Sequence, residues 1–161
     1  MTKHKSSESG RYSRIAIITG ATSGIGEATA RRFIAHYIEH LLRQGGYKQA
    51  AAFIDADTQR LKPLLSFVAD PGANLEVRLG VSALLEAHAN SPSLQNLLPQ
   101  LAELTRHADY RVRADACHLL GLTGSAAARA HVEACLNDAH EDVREIAKEA
   151  MEALAKQNAK A

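Results

Sequence analysis

The sequence predicts an all-α protein, an α-solenoid of antiparallel helix pairs stacked in a right-handed sense, preceded by one isolated βα segment. Three observations predict it. The chain is 46% hydrophobic yet only 4% aromatic, with no Trp; a core of Ala and Leu suits closely packed helices, whereas sheets favour β-branched and aromatic side chains. A Val-Arg pair recurs at Val77-Arg78, Val112-Arg113 and Val143-Arg144, spacings of 35 and 31 residues that fall in the range of helical repeats. Each pair opens an apolar stripe at helical spacing, one buried face per helix.

The chain begins with a polar stretch, MTKHKSSESGRYS, expected to be a disordered tail over 1–13. It has no apolar run of the kind a secretory signal carries, and no window approaches 18 consecutive apolar residues. Residues 14–34 form a separate segment. Ile15-Ala16-Ile17-Ile18 reads as a buried parallel strand ending at Thr19-Gly20. The glycines at 20, 24 and 26 then allow a tight turn, and a helix starting near Ile25 would aim its first amides at a pyrophosphate.

The arrangement Thr19-Gly20-x-x-x-Gly24-Ile25-Gly26 resembles the cofactor motif of the short-chain dehydrogenases/reductases, a resemblance covering about residues 14–34 as a Rossmann-like fragment. It implies that Gly20, Ser23, Gly24, Ile25 and Gly26 line the pyrophosphate of NAD or NADP. The family's other parts do not follow. Where a second strand is due, Ile34, Ile38, Leu41 and Leu42 recur at helical spacing. The Asn-Asn-Ala-Gly segment is absent, and Tyr12, Tyr37, Tyr47 and Tyr110 are followed four residues later by Ala16, Leu41, Ala51 and Ala114 rather than by the family's Lys. A lone strand also cannot pair its backbone groups without parallel neighbours.

Residues 35–161 are expected to form the repeat domain. Helices are expected over 24–43 and 47–54, the latter pair capping the array. The stripes opened by Val-Arg are Val77, Val81, Leu84 and Leu85; Val112, Ala116, Leu119 and Leu120; Val143, Ala147, Ala150, Met151 and Leu154. Between them the spacing predicts helices from Ser93 to Thr105 and from Ser125 to Leu136. Ser91-Pro92 supplies a cap and a first-turn proline, and Gly121-Leu-Thr-Gly124 breaks the chain. An acidic turn, Val-Arg, His118-Leu119-Leu120-Gly121 and Leu136-Asn137-Asp138 together resemble HEAT-like repeats, especially those of phycobilin-lyase-type HEAT proteins, over about residues 57–156. The resemblance implies an extended binding surface and no particular chemistry, because the repeat serves many functions.

In such an array Arg78, Arg113 and Arg144 occupy equivalent positions and are expected to pair with acidic residues of neighbouring turns such as Asp109 and Asp142, forming a structural ladder that sets register. Two metal-like patterns compete with helix packing. His36-x-x-Glu39-His40 puts two imidazoles and a carboxylate on one helix turn, as in inverted zinc peptidases; Cys117, His118, His131 and Cys135 bring two thiols and two imidazoles to adjacent helices. Packing accounts for both sets, and no metal site is expected. The 19 basic and 18 acidic residues nearly cancel, so no net field favours nucleic acid or an anionic membrane. Two cysteines without a signal segment predict free thiols and a cytoplasmic setting. The expected function is a non-catalytic scaffold for a protein partner, without a cofactor; the alternative is an NAD- or NADP-dependent oxidoreductase or its inactive remnant.

Overall fold

A computed structural model describes residues 24–158. The chain divides at residue 30 into units 1–30 and 31–161. Of the first, residues 24–30 are described, as the opening turns of a helix. Among the described residues every regular element is helical.

The helices come as alternating short and long members. They are α1 (Gly24–Arg43), α2 (Tyr47–Asp55), a 3-10 segment (Thr58–Leu64) running into α3 (Leu65–Val68), α4 (Leu75–Glu86), α5 (Pro92–Gln95), α6 (Leu98–Leu104), α7 (Tyr110–Leu122), a 3-10 turn (Ala126–Ala128), α8 (Arg129–Cys135) and α9 (Glu141–Asn158). The three Val-Arg helices are α4, α7 and α9; α4 packs on α7, and α7 packs along α9.

Their stripes bury as the spacing requires. Val77, Val81, Leu84 and Leu85, then Val112, Ala116, Leu119 and Leu120, then Val143, Ala147, Ala150 and Leu154 are all buried, with Met151 half-buried at the edge. Apart from Ala116, the buried stripe residues join Ile38, Leu42, Ala50 and Ile54 in one continuous core, and Met151 packs against it. Caps set the starts of the first two Val-Arg helices: Asn74 Oδ1 accepts from Glu76 N and Val77 N, and Asp109 accepts from Arg111 N.

Two expected helices are broken. The one expected over 93–105 stops at Gln95 and restarts at Leu98, because Pro99 has no N–H to donate and its ring would crowd the carbonyl of Gln95 four residues back. The one expected over 125–136 opens as a 3-10 turn capped by Ser125 before α8 begins. Residues 58–68 add a helical stretch that buries Leu61, Leu64, Leu65 and Val68.

Small residues set how closely the helices approach. A Cβ on Gly121 would lie 2.7 Å from Ala150 Cβ and 2.9 Å from its Cα, so α7 and α9 meet there almost backbone to backbone. At Gly80 an added Cβ would meet Leu42 Cδ2 at 2.7 Å, which places the end of α1 against the middle of α4.

Candidate interaction surface

Two of the three repeat arginines, Arg113 and Arg144, close the turns that precede their helices, and the third, Arg78, bridges two Val-Arg helices. Arg113 is the most engaged. Its Nε and Nη2 donate to the two carboxylate oxygens of Asp138, each at 2.8 Å, in a bidentate fork. Its Nη1 donates to the carbonyls of His107 and Ala108 at 2.9 and 3.0 Å. Arg144 repeats the second half of this pattern one unit later, donating from Nη1 to the carbonyls of Asp138 and Ala139 at 2.8 and 3.1 Å. In both cases the carbonyls belong to residues six and five positions before the arginine, so each side chain closes the turn leading into its own helix. Arg78 differs: it reaches across to α7, where Nη2 donates to Asp115 Oδ2 at 2.6 Å.

The acidic partners are therefore not those expected. Asp109 is held by Arg111, whose guanidinium donates to both of its oxygens at 3.0 and 2.7 Å; that hydrogen bonding lowers the Asp109 carboxyl to about 2. Asp142 lies 3.8 Å from the His140 ring. Asp109 is committed within its own turn by a neighbour two residues away, Asp142 stays largely exposed, and the inter-helix arginines go to Asp115 and Asp138. The Arg113 fork likewise pulls Asp138 below the ordinary carboxylate range. Both side chains of this pair are largely buried, at 15% and 12% exposure.

Two histidines that sequence reasoning passed over shape the same edge. His107 Nδ1 accepts from Asp109 N, and His140 Nδ1 accepts from Asp142 N. The His140 ring stacks on Tyr110 with centroids 3.5 Å apart and planes at 7°, joining the starts of α7 and α9. Asp138 also accepts from His140 N, so one carboxylate serves the arginine of the previous helix and the turn into the next. The signal in the sequence is the near-repeat of His-Ala-Asp-Tyr-Arg-Val-Arg and His-Glu-Asp-Val-Arg.

The metal-like patterns do not assemble. His36 is exposed and its Nδ1 sits 4.0 Å from Glu39, whose carboxylate is taken by Arg43 at 2.9 Å. Among the described residues no group of three or more His, Cys, Asp or Glu is placed to hold a metal. Cys117 and Cys135 are free thiols buried between α7 and α8. Their mutual hydrogen bonding, with burial, raises the Cys117 thiol above its ordinary range. The Cys135 Sγ donates to His131 O at 3.3 Å, while His118 turns outward to Glu86 at 3.3 Å.

Of the glycine-rich fingerprint, Gly20, Ser23 and the strand expected at 15–18 lie outside the described residues. Gly24, Ile25 and Gly26 form the start of α1, with Gly24 at φ +59°, a backbone conformation that glycine adopts without a Cβ penalty. No described helix is long and apolar enough to cross a membrane.

With the valine of each pair buried, the residue after the arginine is exposed on α4 and α9, as Leu79 and Glu145, and so are Leu75 and Glu141 one turn earlier. On α7 the equivalent residues, Ala114 and Tyr110, are half-buried and pack against the core. Leu75 and Leu79 are 68% and 63% exposed. Comparison with curated proteins and with solved structures gives no match. The family model described as HEAT repeats matches residues 61–152, more than half of the chain, and covers α4, α7 and the first part of α9. The chain belongs to the HEAT-repeat family.

Proposed function

We propose that the chain is a non-catalytic scaffold that binds a protein partner on the outward face of α4, α7 and α9. One observation carries this reading: the repeat arginines are consumed in fixing the turns and seams, so what they hold in register is a set of helices with exposed side chains on α4 and α9. The free, buried thiols fit a reducing, cytoplasmic setting.

Photo-crosslinking in cells tests it. A photoreactive residue in place of Glu145 on α9 is expected to capture a discrete protein, whereas one in place of the exposed Glu133 on α8 is not. Equal capture from both positions, or none from any outward position of the three helices, refutes the scaffold reading. Saturable binding of NADH or NADPH by the full chain would instead support the oxidoreductase alternative implied by Gly20, Ser23, Gly24, Ile25 and Gly26.

A further inference from the structure

The outward face changes chemistry along the stack. At α4 it is apolar, with Leu75 and Leu79 one turn apart and more than three-fifths exposed. At α7 it is recessed, with Tyr110 and Ala114 half-buried against the core and with the exposed Arg111 already neutralised by Asp109. At α9 it is acidic. Glu141, Asp142, Glu145, Glu149 and Glu152 are exposed along one side of that helix, against Lys148 and Lys156. Lys156 reaches Glu152 at 3.9 Å, and Asp142 lies near His140. Glu141, Glu145 and Glu149 have no ion-pair partner among the described residues.

Solvent-exposed leucines of this size gain from burial, and an acidic row with few counter-charges gains from cations laid across it. The two ends are two helix steps apart. At about 8–10 Å per step the span is about 20 Å, which a helix of about 13 residues covers at 1.5 Å per residue. Resting on the reading of the chain as a scaffold, we infer that the outward face of α4, α7 and α9 docks a basic amphipathic helix of the partner, seating apolar side chains on Leu75 and Leu79 and presenting Lys or Arg to Glu141, Glu145 and Glu149. Charge complementarity selects a basic occupant; a hydrophobic-only one would leave the acidic end uncovered, and an acidic one would be repelled there.

The probe is a fluorescein-labelled 18-residue peptide of Leu, Ala and Lys with leucines on one helical face, titrated with the full chain by fluorescence anisotropy. A scrambled peptide of the same composition and a Glu-for-Lys counterpart are run beside it. Saturable binding of the patterned basic peptide alone is expected, weakened at least about tenfold by L75S/L79S and about threefold or more by E145Q/E149Q, with a flatter salt dependence in the latter. All four substitutions are at exposed positions, and circular dichroism of each variant confirms that the helices persist. Absence of saturable binding, equal binding of the scrambled or acidic peptides, or indifference to both variants overturns the proposal. So does a concentration-dependent dimer in sedimentation that L75S/L79S dissolves, since a second copy of the chain would then be the occupant. A crosslinked partner whose capture from position 145 survives L75S/L79S and E149Q leaves the scaffold reading standing and removes only this docking surface.

Discussion

Truncating Arg113 to Ala should destabilise the array more than truncating either of its repeat equivalents, and the geometry sets the size of the effect. Arg113 makes two charge-assisted bonds to a carboxylate that is 12% exposed and two bonds to backbone carbonyls. Hydrogen bonds to charged groups contribute about 1.5–3 kcal/mol each at most, but water can reach the exposed Ala108 carbonyl and part of Asp138 once the side chain is gone. The expected loss is about 2–3 kcal/mol. Arg78 makes a single bond to an Asp115 side chain that is 39% exposed, and Arg144 bonds only two carbonyls, so each should cost about 1 kcal/mol. At about 3 °C per kcal/mol for a domain of this size, R113A should melt about 8 °C lower than the parent, and R78A or R144A about 3 °C lower. Urea unfolding followed by circular dichroism measures all three, and a double-mutant cycle with D138A should return a coupling of about 1–2 kcal/mol. Losses below about 0.5 kcal/mol for R113A, or a coupling near zero, would refute the idea that this fork ties consecutive turns together.

Further predictions follow from packing and charge. G121A should cost about 2 kcal/mol or more, because the new methyl meets both Cβ and Cα of Ala150; A150G should rescue it only in part, since the Cα clash at 2.9 Å remains, and thermal melts of the single and double variants check this. L85A, at a fully buried position, should cost about 2–5 kcal/mol in the same assay. Asp109 and Asp138 both have folded-state values below the ordinary 3.8, through Arg111 and Arg113 respectively. Their contribution to stability is therefore complete above the unfolded value and fades as pH falls through the folded ones, between roughly pH 4 and 2. Chemical unfolding at pH 5, 3 and 2 should show a decline that is shallower in D138N; an unchanged slope would contradict the role given to the Arg113 pair.

The repeat was legible because its information is local. Val77, Val112 and Val143 mark one buried face each, and the period-3.6 stripe needs nothing from the rest of the chain to be recognised. The break at Gln95 was equally written in Pro99, but the leucines on either side of it kept a helical spacing that masked it. The helical stretch at 58–68 carries Leu61, Leu64, Leu65 and Val68 at the right intervals, though Pro63 and a 3-10 opening blur its start. Partners of the arginines were harder. Asp109 and Asp142 look suitable by repeat position, yet hydrogen bonds to Arg111 claim Asp109 first and Asp142 stays largely exposed, and local competition of this kind is not read from spacing alone. Asp115 and Asp138 become partners only when adjacent helices are docked. The outward face was legible only in part: Leu75 and Leu79 share a helical spacing with core residues, and only the register fixed by Arg78 turns them toward solvent.

The two layers of the array differ in continuity. The Val-Arg helices run unbroken over 75–86, 110–122 and 141–158, whereas the helical stretch before each of them is segmented, at Pro63, at Pro99 and at the 3-10 turn at 126–128. An unbroken helix resists bending through every one of its backbone bonds, while a segmented one yields at its joints. Under load such a structure behaves as a spine backed by vertebrae: strain concentrates in the segmented layer and spares the spacing of the spine. Amide protons at Asn96 and Leu97, and around Ser125, should exchange with solvent before those of α7. A partner spread over several repeats could then draw the array to its own contour while meeting the same ordered row of side chains.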